Sequence, residues 1–108
     1  MKNKVESIPN TAQVQTVTYR PAYSTICSVG KAPFHGVMEI EFKPAALLLE
    51  FMSFDAWLHS LATEQMTIED LARRTFDELR AVLGDIPLRV TVHAETTVHA
   101  PASATIEG

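Results

Sequence analysis

The chain has 108 residues, one cysteine and a formal net charge of −4, a size that fits one domain and leaves no room for separate catalytic and cofactor domains. Hydrophobic residues make up 46% and charged residues 20%, an ordinary globular balance that argues against wholesale disorder. No block of basic residues appears, no apolar run approaches the ~20 residues of a membrane span, and a single cysteine allows no intrachain disulfide. The expectation is therefore a cytoplasmic protein with neither nucleic acid nor membrane as partner.

Residues 1–12 are polar and aperiodic, lack the apolar segment of a secretory signal, and are expected as a flexible N-terminal arm, leaving 13–108 as a single domain. From Gln13 to Tyr19 the pattern alternates weakly, breaks at Pro21 and resumes from Tyr23 to Cys27, which predicts an interrupted strand. After a Gly30–Pro33 break, His35 to Lys43 alternates again, with Met38, Ile40 and Phe42 on one side and Val37, Glu39 and Glu41 on the other. Ala45 to Leu61 carries apolar residues at helical period. A second helix starts at an N-cap Thr67, has Glu69 and Asp70 in its first turn, and stops before Gly84. Leu88 to Glu95 and Val98 to Ile106 then read as a hairpin. The order β-β-α-α-β-β predicts an α+β fold, an antiparallel sheet with two helices on one face. Its open edges, in a chain too small to enclose a ligand alone, predict a homo-oligomer with active sites between subunits.

Cys27 ends a strand ahead of a Gly/Pro-containing loop, where a thiolate could attack an electrophilic carbon such as a nitrile; the other reading is a small, inert, buried side chain. The four histidines (His35, His59, His93, His99) lack C-x2-C or H-x3-H spacing, so a metal site from Cys27, His35 and His99 has little support. Glu69 is either a dipole-stabilised surface acid or a carboxylate able to grip a guanidine-like N–H/NH2 edge with two parallel hydrogen bonds. Glu50 interrupts an apolar run, as a helix-surface acid or as a site residue. None of the glycines belongs to a G-x-G-x-x-G or P-loop pattern.

Together these residues resemble the tunnelling-fold enzymes, and most of all the 7-cyano-7-deazaguanine reductases of queuosine biosynthesis with their archaeal amidinotransferase-like relatives. Cys27-Ser-Val-Gly-Lys-Ala-Pro33 is similar to the reductase Cys, short loop and Pro. Glu50-Phe-Met-Ser53-Phe54-Asp-Ala-Trp57 is similar to the motif E-[SL]-K-[SA]-h-K-[LY]-[YFW], and Glu69 falls where the fold's purine-gripping Glu sits. The resemblance runs from Cys27 to about Leu83 and more loosely beyond. It implies a tunnelling fold assembled into an oligomeric barrel, a purine-like small-molecule substrate, and Cys27 adding to the nitrile to form a thioimide. It also implies substrate contacts from Glu69, Glu50 and Phe34, and an NADPH site involving Ser53 and Trp57.

Departures from the pattern bear on the chemistry. Phe34 stands where the reductases have their general acid, which leaves His35 as the candidate acid. Met52 and Asp55 replace the two motif lysines associated with NADPH, and Ile68 replaces the His before Glu69. The product is then an amine, if NADPH supplies hydride, or an amidine, if ammonia or an amine attacks the thioimide. GTP cyclohydrolase I resembles the chain more distantly. Its zinc loop C-E-H-H-L-L-P-F-x-G matches at Cys27 and at Pro33-Phe34-His35-Gly36, but Val29 and Gly30 stand where its loop histidines do, and its second zinc cysteine falls near His99. Zinc belongs to that reading alone. A third reading is a non-catalytic purine- or pterin-binding protein of the same fold.

Overall fold

The computed structural model describes residues 3–96 and 100–108. In chain order the elements are β1 (Ser7–Pro9), β2 (Val17–Tyr19), β3 (Ala22–Cys27), β4 (Pro33–Phe42), β5 (Leu47–Leu49), α1 (Phe51–His59), β6 (Gln65–Met66), α2 (Ile68–Leu83), β7 (Leu88–Thr96) and β8 (Ala102–Glu107). A six-stranded sheet runs β6-β3-β4-β7-β8, with β2 also paired to β4. All its pairings are antiparallel except the short parallel one between β3 and β6. The long β4 takes both halves of the interrupted strand: β3 along its first half and β2 along its second, with the Pro21 carbonyl between them accepting from the Met38 N–H at 2.9 Å.

Alternation decides which face of the sheet is covered. Phe34, Met38, Ile40 and Phe42 of β4 and Leu88, Val90, Val92 and Ala94 of β7 point to one side and are buried under the helices. From above, α2 contributes Leu71, Ala72, Phe76, Leu79 and Leu83, and α1 contributes Phe54, Trp57 and Leu58. The opposite face is polar, with Glu41 paired to Arg89 at 2.8 Å and Thr91 bonded to Thr105 at 2.8 Å. The α2 boundaries follow local chemistry. The Thr67 hydroxyl accepts from the Asp70 N–H at 3.1 Å while the Asp70 carboxylate accepts from the Thr67 N–H at 3.2 Å, and Gly84 adopts φ 87° at the other end.

Three sequence expectations are corrected. The segment expected as an arm carries β1, which pairs antiparallel with β5, and its Val5 is buried. The helix expected over 45–61 is shorter: Leu47–Leu49 is a strand and only Phe51–His59 is helical, because pairing with Ser7–Pro9 overrides the local helical period. The sheet also holds more pairings than the four strands expected. Val98, where the last strand was expected to begin, lies outside the described residues, and β8 starts at Ala102.

Gly36 marks a close approach of β4 to β7. A Cβ there would sit 1.9 Å from the His93 carbonyl oxygen, the same oxygen that accepts the Tyr23 hydroxyl at 2.7 Å. Gly36→Ala is expected to lower stability by about 2–3 kcal/mol in urea unfolding, through strain in the paired strands. Wild-type stability in that variant would contradict the close approach.

Candidate functional site

Cys27 closes β3, and the connection 28–32 folds back around it. The Cys27 N–H donates to the Ala32 carbonyl at 2.9 Å, and the Lys31 N–H donates to the Cys27 carbonyl at 2.8 Å. This turn brings the Gly30 N–H to 3.4 Å from the half-buried sulfur. The hydrogen bond from Gly30, a second from the Val29 N–H and the nearby Lys31 charge draw the thiol pKa below its ordinary value; partial desolvation opposes them and is outweighed.

The parallel pairing of β6 with β3 sets what faces the thiol. Ile26 pairs with Gln65 and Cys27 with Met66, and the Ser28 N–H donates to the Met66 carbonyl at 3.2 Å. The chain enters α2 directly after this pairing, so the first turn of that helix lies beside the sulfur. Between them is a cavity of about 280 Å³, mostly apolar, lined among others by Cys27, Pro33, Phe34, Ile68, Glu69 and Ala102. It sits near the small end of the ~300–1,000 Å³ range of small-molecule sites. Phe34 forms a buried wall and meets Tyr23 edge-on at 6.0 Å between ring centroids. Cys27 and Glu69 are its titratable lining groups among the described residues.

Three of the sequence-derived site residues, Cys27, Phe34 and Glu69, therefore share one cavity. The others do not. His35 is exposed on the opposite face of β4, across from Ser24, because adjacent residues of a strand point to opposite sides. The bulge in this strand falls between His35 and Gly36 and leaves His35 outside the cavity lining. The expectation of His35 as the acid is corrected on that ground.

Glu50, Ser53 and Trp57 lie along α1. The Glu50 carboxylate caps its own helix, accepting from the Met52 N–H at 2.8 Å and the Ser53 N–H at 2.9 Å. The Ser53 hydroxyl donates to the Glu50 carbonyl at 2.8 Å and accepts from the Glu6 N–H at 2.9 Å. Trp57 is buried against Phe54. Asp55 holds the Tyr19 hydroxyl at 2.7 and 2.8 Å, and Tyr19 is pushed up to about 12, first by burial and then by this carboxylate. Glu50 borders a different, apolar cavity of about 400 Å³ with Val14, Val17, Phe42, Phe51 and Met52.

His93 pairs across Val37 and Ser103, and His59 ends α1. His99 lies outside the described residues; among those described, no three His, Cys, Asp or Glu side chains converge to hold a metal. Two contributors to the site carried no readable signal: Lys31, whose backbone φ is 58°, and Gln65, whose side chain it reaches.

No family model and no curated protein matches the sequence. Among solved structures the chain is similar to the archaeosine synthase QueF-Like in its apo form, with a TM-score of 0.80 and 17% identity, over 87% of this chain and 93% of that one. The chain has the tunnelling fold of that QueF-like structure: a curled, largely antiparallel sheet with two helices on one face. Among the described residues no helix is long and apolar enough to cross a membrane.

Proposed function

We propose that the chain is a tunnelling-fold enzyme that acts on a 7-deazaguanine nitrile through a covalent thioimide on Cys27. The observation that carries this reading is the single cavity that gathers a thiol with a lowered pKa, an aromatic wall at Phe34 and the Glu69 carboxylate. A planar base would pack against Phe34 while Glu69 accepts its N–H and NH2 groups by charge-assisted hydrogen bonds. This leaves the nitrile for the thiolate. The sulfur bonds to the nitrile carbon, one π pair moves to nitrogen, and that nitrogen takes up a proton.

The fate of the thioimide follows from what surrounds it. Reduction to an amine requires hydride from NADPH, and the α1 segment does not fit a dinucleotide phosphate. Its two carboxylates, Glu50 and Asp55, are bound to the Met52 and Ser53 N–H groups and to Tyr19, while Met52 points into solvent where the family has a lysine. We therefore favour amidine formation. An ammonium ion, or a protonated amine, gives a proton to the nitrile nitrogen, attacks the thioimide carbon as the free amine, and expels the Cys27 thiolate. No electrons are exchanged, and the net reaction adds the amine across the nitrile. This route also suits a wall at Phe34 that offers no proton.

The test is intact-protein mass after incubation with 7-cyano-7-deazaguanine. The expected result is a gain equal to the whole ligand, formed slowly with solvent protons when no ammonium is present, absent in Cys27→Ala and discharged by added ammonium. No gain in the wild type, or the same gain in Cys27→Ala, would remove the mechanism; an adduct that ammonium leaves intact would remove amidine formation and leave reduction by NADPH, and base binding without an adduct would favour the binding-protein reading.

Part of this proposal is that copies of the chain assemble around the site. Ladder hydrogen bonds use one side of β8, which ends the sheet and lends Ala102 to the cavity wall. Light scattering at micromolar concentration is expected to give a multiple of the chain mass, and a monomer would contradict it.

A further inference from the structure

The loop that carries the thiol contains a backbone outlier. Lys31 has φ 58°, in the left-handed region that residues with side chains avoid, whereas its neighbour Gly30, which enters that region freely, does not have a positive φ. Such an outlier persists where the surroundings over-determine it. Here the Lys31 N–H donates to the Cys27 carbonyl at 2.8 Å, and its ammonium donates to the Gln65 side-chain oxygen at 2.8 Å. Gln65 pairs with Ile26, the residue before Cys27, and stands just ahead of the Thr67 cap of α2. The bond therefore crosses the nucleophile's strand and ties its loop to the helix that brings Glu69.

We propose that Lys31 is a positioning residue for Cys27. Its clasp on Gln65 holds the turn that aims the Gly30 N–H at the sulfur and keeps an ammonium beside the thiolate. Its partner is a neutral amide, so the charge is not cancelled. The other charged groups around the thiol act differently. Glu69 lines the same cavity from the first turn of α2, Glu64 is taken up by Arg74 at 2.9 Å, and Asp70 is fixed on the Thr67 N–H at 3.2 Å. The direction of the Cys27 shift agrees, with the loop N–H groups leading and Lys31 adding to them. The inference rests on Cys27 being the nucleophile, but its test needs no nitrile.

That test is the rate of Cys27 alkylation by iodoacetamide between about pH 6 and 10, together with thermal melting. A lowered pKa makes the thiol reactive at lower pH, so losing the clasp moves the midpoint of the profile upward. Lys31→Gly accepts the positive φ without strain and is expected to melt no lower than wild type. Its midpoint should nevertheless rise, and its rate near neutral pH should fall about threefold, a modest change because the ammonium is exposed. Lys31→Arg should retain the wild-type profile. Gln65→Leu, which keeps the charge and loses the tether, should shift it in the same direction as Lys31→Gly. A wild-type midpoint in Lys31→Gly or in Gln65→Leu overturns the proposal, whatever the result with the nitrile.

Discussion

Two residues of parallel pairing, Ile26 with Gln65 and Cys27 with Met66, hold the start of α2 against the end of β3, and the candidate site exists because of them. The pairing is short, so other groups secure it. The buried Thr25 hydroxyl, with one proton to share, lies 2.8 Å from the Glu64 carbonyl and 3.2 Å from the Leu61 carbonyl, where α1 runs into β6. The Ile26 N–H donates to the same Glu64 carbonyl at 3.1 Å. These bonds fix the path of the chain from α1 into α2. They leave a cavity between the thiol and the first turn of α2, where a separate helix start and strand end would leave only surface.

The site is defined as much by its wall as by its nucleophile. Loop N–H groups and Lys31 draw the Cys27 thiol pKa down, and a nitrile attacked by the sulfur would have to take up a proton from elsewhere. Phe34 leaves the cavity mostly apolar, with Glu69 as its charged lining group among the described residues. In the proposed complex Glu69 grips the base and is not free to move protons at the far end of the same ligand. The proposed amidine formation, in which the second substrate brings its own proton, is consistent with such a cavity. The carboxylates along α1 are held by the Met52 N–H and by Tyr19 and do not line the Cys27 cavity.

Much of this was readable from local chemistry. The Thr67–Asp70 capping box and Gly84 mark α2 through contacts a few residues apart, and strand alternation separates Phe34 from His35 without any tertiary information. The convergence of Cys27, Phe34 and Glu69 was legible through motif spacing rather than composition. What escaped depends on partners distant in sequence. Leu47–Leu49 carries a helical period, and only pairing with Ser7–Pro9 makes it a strand; the same pairing turns an aperiodic N-terminal segment into part of the fold. The left-handed backbone at Lys31 beside an available glycine has no sequence signature, and the Gln65 contact depends on the β3–β6 pairing that no periodicity announces.

The central claim is that one guanine-like ligand spans Glu69 and Cys27. Protection of Cys27 from iodoacetamide by 7-deazaguanine, which has no nitrile to react, tests it most directly. The account expects the ligand to slow alkylation in a saturable way in the wild type. It also expects Glu69→Gln to weaken that protection by roughly 5- to 150-fold in apparent affinity, as about 1–3 kcal/mol of mispaired hydrogen bonding implies. Equal protection in both proteins, or none in either, would contradict it.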